Sequence, residues 1–220
     1  MVDSDVNREL KRKQIHYVGL SVPLLYYFVF DRLEMLLFVG ISLVAFLIID
    51  YCRLYRNIAV INRFFQEERY TASIRLPVHD GGKMANREIH IPTFGEIMRS
   101  EEKRGLGAQT YFAAGSLVCI LLYSKNIAVA SVAALVIGDS VAAIVGKAIG
   151  RHRIYRKKTL EGYLACLVAS LGICVILLPA SVAVPGAIGA ATTELFSRFN
   201  DNFSIPVLTG AVMTVAHYLT

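Results

Sequence analysis

Tryptophan is absent from this 220-residue chain, and only 18% of its residues are charged. A soluble domain carries about a quarter charged residues, so an ordinary soluble enzyme and a disordered chain are both excluded. The four cysteines, Cys52, Cys119, Cys166 and Cys174, form no CxxC pair. That excludes a zinc ribbon and a secreted disulfide scaffold, and leaves them as small apolar packing residues. No G-x-x-x-x-G-K-[ST] loop occurs, and the HRD and DFG elements of protein kinases are missing, so neither a P-loop nor a protein kinase is encoded. No lysine follows Lys158, so the late apolar runs offer no Schiff-base amine for a retinal-type pigment. No A-x-A-like cleavage site follows a short apolar run near the N-terminus, so the first run is read as retained.

What the chain has is apolar length. Hydrophobic residues make up 55% of it, and the mean hydropathy is +0.51. Seven apolar runs are read, at 15–31, 33–51, 107–123, 127–149, 162–178, 180–197 and 203–219. Runs of roughly 17–23 residues suffice for a helix to cross a ~30 Å hydrocarbon core. The predicted fold is therefore an all-α integral membrane protein with about seven transmembrane helices. It is expected to be one catalytic domain over 1–220, with 52–106 as a cytoplasmic insertion between helices 2 and 3. Pro179 and Pro185 predict a tight turn and an irregular sixth helix.

The net charge is +6. Its distribution points to a membrane and not to nucleic acid. Four Lys and Arg precede the first run, ten lie between the second and third, six run from Lys147 to Lys158, and Arg198 follows the sixth. Only Arg32 and Lys125 fall on the other side, out of 23. The positive-inside bias then predicts a cytoplasmic N-terminus and an outside C-terminus, in the plasma membrane for a prokaryotic chain. Within the insertion, Leu54, Ile58, Ile61 and Phe65 recur at helical spacing, which predicts an amphipathic surface helix. His79-Asp80-Gly81-Gly82 is a turn signal that suits a hairpin, and a polar helix is expected over 94–104.

The chemistry concentrates in 138–162, GDSVAAIVGKAIGRHRIYRKKTLEG. Asp139 lies inside the fourth run, where a carboxylate costs about 2.5–3.5 kcal/mol and usually faces an interior site. Ala142, Gly146 and Gly150 follow at spacings that keep them on the Asp139 face. Such a strip without bulk lets something approach the backbone closely; Gly146-x-x-x-Gly150 alone would serve helix packing. Six cations and no acid occupy 147–160, and Lys157-Lys158-Thr159 opens the fifth helix. Free N–H groups at a helix start beside two ammonium groups make an anion site. Together with a carboxylate able to hold Mg²⁺, this suits a nucleoside triphosphate.

The block D-x-x-A-x-x-x-G-x-x-x-G, a six-residue basic spacer and K-K-T-x-E-G resembles the CTP-binding motif of the dolichol kinase family, which includes phytol kinase and CTP-dependent diacylglycerol kinase. The matching residues are Asp139, Ala142, Gly146, Gly150, Lys157, Lys158, Thr159, Glu161 and Gly162. Residues 9–19 are similar to the family's amino-terminal E-x-x-R-K-x-x-H-x-x-G, and 191–206 to its A-T-x-E…D-N…P element. The chain resembles the minimal catalytic core of prokaryotic members. The resemblance implies a CTP-dependent kinase acting on a membrane lipid alcohol, foremost a polyprenol or dolichol-type isoprenoid, with CTP as donor and Mg²⁺ as cofactor. It assigns CTP phosphates to Lys157, Lys158 and Thr159, and places Asn202 in the nucleotide site. Asp139 is implied as Mg²⁺ ligand or as base, with Glu194 and Asp201 as the other candidates for ligand and base. Arg12, Lys13 and His16 are implied as a phosphate clamp; by themselves they read equally as an interfacial basic anchor. A CTP-dependent cytidylyltransferase shares a similar block, but its downstream K-R-x-x-K-D element has no counterpart in a chain without lysine after Lys158. A non-enzymatic transporter or scaffold is the remaining class, although no matched inverted halves are visible.

Overall fold

A computed structural model of the chain describes residues 13, 16–56, 72–80, 83–91, 105–156 and 158–220. The chain divides into two compact units, Met1–Phe46 with Gly107–Thr220, and Leu47–Leu106. Among the described residues, every one of the seven apolar runs contains an α-helix. These are α1 (Ser21–Phe28, entered through a 3-10 turn at Tyr17–Leu20), α2 (Arg32–Tyr51), α3 (Ala108–Leu122), α4 (Lys125–Ala148), α5 (Leu160–Leu177), α6 (Ala180–Phe196) and α7 (Asp201–Leu219). Three are long and apolar enough to cross a membrane: Arg32–Tyr55, Lys125–Ala148 and Leu160–Leu177. The apolar helices at Tyr17–Phe28, Ala108–Leu122 and Ala180–Phe196 are shorter.

The helix α4 is the axis of the larger unit. In its most apolar 18-residue stretch 78% of residues are buried, against 17% and 22% in the other two long helices. Its sequence explains this. Ala128, Ala130, Ser131, Ala133, Ala134, Gly138 and Ser140 are small, so neighbours approach from several sides. Helices α1, α3, α5, α6 and α7 all contact it. The core around it includes Tyr26, Met35, Cys119, Ile120, Leu135, Val182, Ile205 and Met213. Cys119, Cys166 and Cys174 are buried and unbridged, as packing residues should be.

The sixth run is not broken at its internal proline. Ala180–Phe196 is one helix with Pro185 inside it. Pro179 occupies the N-cap position, so Pro185 falls in the second turn, where it removes one backbone donor. The expected tight connection is present, with only Leu178 and Pro179 between α5 and α6.

In the smaller unit, strands β1 (Ala72–Asp80) and β2 (Lys83–Ile91) form an antiparallel hairpin, in register from Ala72 opposite Ile91 to Asp80 opposite Lys83. The turn signal read in the sequence sits at its tip. A π-helical turn, Cys52–Arg56, follows α2; the rest of the segment expected as an amphipathic helix and the helix expected over 94–104 lie outside the described residues. A second, short hairpin, β3 (Arg153–Tyr155) with β4 (Lys158–Thr159), connects α4 to α5 in the larger unit.

Candidate functional site

Asp139 lies in the C-terminal half of α4 and is only 6% exposed. A carboxylate there needs a partner, because an unpaired charge in a low-dielectric interior is costly. The partner is Lys13, itself 2% exposed, whose ammonium forms an ion pair with Asp139 Oδ2. His16 Nε2 lies 3.9 Å from the same oxygen. The amino-terminal segment can reach this depth because Gly19 lies close to α3 and α4. A Cβ there would meet the Phe112 ring at 3.1 Å and Val136 Cγ2 at 3.4 Å.

A second charged group stands nearby. Lys158 of β4 forms an ion pair with Glu194 of α6, and its Nζ lies 3.6 Å from Asp201 Oδ2 at the start of α7. Glu194 is 3% exposed. Burial works against the Lys158 charge, but the carboxylates of Asp201, Glu194 and Asp139 outweigh it. The ammonium pKa is raised above its ordinary 10.5, so Lys158 is a cation at neutral pH. Three carboxylates, two lysines and a histidine from five parts of the chain thus share one electrostatic neighbourhood.

The strip without bulk on α4 is approached closely, and by the chain's own fifth helix. A Cβ on Gly162 would lie 2.9 Å from the Ala142 carbonyl oxygen and 3.5 Å from Gly146 Cα. A Cβ on Gly146 would lie 3.1 Å from Thr159 Oγ1, and one on Gly150 would lie 2.8 Å from the same oxygen. Thr159 caps α5: its Oγ1 accepts from the Gly162 N–H at 3.2 Å. Glu161 holds the β3–β4 hairpin onto the helix start. Its carboxylate accepts from the His152 N–H at 3.3 Å and contacts the His152 ring Nδ1 at 2.8 Å. The Leu160 N–H closes the arrangement on the His152 carbonyl at 2.8 Å. Arg156 takes the turn of this hairpin with φ of 50°, in the left-handed region. Ala142, Gly146, Gly150, Thr159, Glu161 and Gly162 therefore seat Lys158 beneath α4, and the geometry gives each of them a packing or capping contact.

Of the remaining residues singled out from the sequence, Lys157 and Arg12 lie outside the described residues. Asn202 fixes the start of α7, with its side-chain amide donating to the Ala108 carbonyl at 3.2 Å. Its backbone N–H donates to Asn200 Oδ1 at 3.0 Å, which makes Asn200 the N-cap. Asn200 was legible as a capping residue type ahead of an apolar helix. Missed in the sequence was Tyr155, whose pKa is lowered by the nearby Arg198 guanidinium. The Tyr155 ring stacks on Phe196 with centroids 5.4 Å apart.

Among the described residues, no group of three His, Cys, Asp or Glu side chains is arranged to hold a metal ion. Asp139 faces Lys13, and Glu194 faces Lys158. Chemically the cluster offers paired ammonium groups for an anion and buried carboxylates for a proton or a single metal contact.

No family model and no solved structure matches the chain. A protein of Rickettsia prowazekii (strain Madrid E), described as uncharacterized, is 27% identical over 232 residues, an alignment that covers 100% of both chains. The class defined by the fold is thus a mostly helical protein with several apolar helices, compatible with a membrane.

Proposed function

We propose that this protein is an integral membrane kinase that moves the γ-phosphoryl group of CTP onto the hydroxyl of a lipid alcohol, most simply a polyprenol or dolichol-type isoprenoid. The observation that carries the reading is the meeting of Lys158 with Glu194 and Asp201 beside the Lys13–Asp139 pair. Each of the three sequence blocks that resemble the dolichol kinase family contributes to that meeting. Membrane residence is supported by the outer surface. Leu33, Leu37, Ile41 and Val44 are exposed along one stripe of α2, as are Leu164, Val168, Val175 and Ile176 on α5. Apolar faces of that extent are rare on soluble monomers and suit hydrocarbon. With seven spanning helices, the Lys and Arg count puts the β3–β4 hairpin on the cytoplasmic side, where CTP is found.

In this reading Lys158 neutralises the phosphates, aided by Lys157, the Thr159 cap and the free N–H groups of the α5 start. The acceptor oxygen forms its bond to the γ-phosphorus as the bond from that phosphorus to the β–γ bridging oxygen breaks. CDP departs, and the hydroxyl proton passes to a carboxylate, for which Asp139, Glu194 and Asp201 are the candidates. The residues fit a Mg²⁺ that arrives with the nucleotide and not one held in an all-protein cage, because Mg²⁺ commonly uses one or two carboxylates plus substrate phosphates. Asp139 would hold it, and it would supply charge neutralisation on the β- and γ-oxygens. Lys13 and His16 would serve as a phosphate clamp, and the remaining work is positioning.

The test is to incubate purified protein in vesicles with labelled CTP, Mg²⁺ and a panel of lipid alcohols, and to identify the products. CDP with a lipid monophosphate is expected. Pyrophosphate with a CDP-lipid would instead establish a cytidylyltransferase. No Mg²⁺-dependent consumption of CTP with any acceptor would point to a transporter or scaffold.

A further inference from the structure

A groove of about 500 Å³ runs along the outer face of the larger unit, between the end of α6 and the first half of α7. Its walls include Phe196, Phe199 and Leu208, which are 54%, 61% and 51% exposed. Thr193 and Ser204 add hydroxyls, and Arg198 adds a cation. The groove leads toward the charged cluster. Asp201, Ser204 and Leu208 stand at i, i+3 and i+7 of α7, so helix geometry keeps them on one face. Ser204 and Leu208 line the groove, while Asp201 lies 3.6 Å from the Lys158 ammonium. Phe196 lies against the Tyr155 ring at a tilt, with centroids 5.4 Å apart. One wall of the groove is thereby tied to the hairpin that carries Lys158.

We infer that this groove binds the hydrocarbon end of the lipid-alcohol acceptor, with its hydroxyl directed along α7 toward Asp201 and Lys158. Arg198 is suited to the phosphate of the lipid monophosphate product. The assignment rests on the kinase reading for the identity of its occupant. The occupant is a single-chain isoprenoid alcohol and not a bulk phospholipid. The apolar walls suit a chain, and the face of α7 that lines them continues to Asp201 and Lys158, which suit a hydroxyl.

The experiment uses the full chain in phosphatidylcholine vesicles and a diazirine-bearing polyprenol, with adducts mapped by mass spectrometry. Adducts are expected on the 196–208 segment, competed by unlabelled polyprenol. Leu208→Trp, which fills the groove, should cut labelling and raise KM for the alcohol about tenfold, as losing an apolar subsite commonly does. KM for CTP should not change. Arg198→Ala, at an exposed position, is the second variant and should weaken product inhibition by the lipid monophosphate while the protein stays folded. Adducts confined to other helices, unchanged labelling in Leu208→Trp, or equal labelling by a diazirine-bearing phosphatidylcholine would overturn the groove assignment. Turnover with labelling elsewhere removes the groove and spares the kinase reading. Competed labelling at the groove without turnover sustains the groove as a polyprenol site and removes the kinase reading.

Discussion

Lys13 and Asp139 stand 126 residues apart in the chain and form a buried ion pair. Neither charge is supportable alone at that depth, so each residue accounts for the other's presence. Removing the cation alone, in Lys13→Met, should destabilise the protein by about 3 kcal/mol, the lower end for breaking a buried pair. The lower end applies because His16 stays near Asp139. Lys13→Met combined with Asp139→Leu should recover most of that loss, since an apolar replacement of both partners is often neutral. Thermal unfolding in detergent reads both variants. A double variant no more stable than the single would mean the pair is not the source of the cost.

The charged cluster should matter to activity beyond what it contributes to folding. Lys158→Ala and Asp139→Asn are each expected to lower CTP-dependent phosphorylation at least about 100-fold, as loss of a preorganised charge in an active site does. Membrane insertion should be unaffected, read by fractionation. Wild-type turnover in either variant would remove that residue from the mechanism.

The Lys158 ammonium has its pKa raised above 10.5, its ordinary value. A raised pKa on a basic group means that its stabilising contribution is complete below the unfolded value. It is lost as pH climbs through the folded value. The difference in unfolding midpoint between wild type and Lys158→Met should therefore stay constant from neutral pH to roughly 10, then shrink. A difference that already fades between pH 7 and 9 would show that Lys158 is not held as a cation.

The two glycines of α5 should respond oppositely to the same change. At Gly162 a methyl group would stand 2.9 Å from the Ala142 carbonyl oxygen, so Gly162→Ala should cost about 1–3 kcal/mol through overpacking. At Gly172 nothing lies within 4 Å. Gly172→Ala should be neutral or stabilising by up to about 1 kcal/mol, from helix propensity. Unfolding midpoints of the pair decide whether α4 and α5 approach as closely as described.

Sidedness is open to a direct check. In a cysteine-free background, Ser124→Cys between α3 and α4 should react with an impermeant thiol reagent from outside the cell. His152→Cys in the β3–β4 segment should react only after the membrane is opened. Labelling of both from one side would break the odd-span topology that the Lys and Arg count predicts.

Much of the architecture was legible along the chain. Among the described residues each of the seven apolar runs contains an α-helix, because a backbone in apolar surroundings must satisfy its hydrogen bonds internally. The hairpin tip followed from His79-Asp80-Gly81-Gly82. Pro179 marked the start of the sixth helix, and Pro185 lies within it. At the site, the charged residue types and the strip of small residues were readable. The groove between α6 and α7 was not, since it exists only where two helix faces meet.

The sequence by itself determined where helices run, which positions along them are too small to fill space, and which charges are too deep to stand unpaired. Those properties depend on near neighbours and on spacing. Only the tertiary structure decided that Thr159 and Gly162 fill the strip on α4, that Lys13 answers Asp139, and that Lys158 lies between Glu194 and Asp201. Partnerships between distant residues depend on which faces pack together, and packing is a property of the whole assembly of helices.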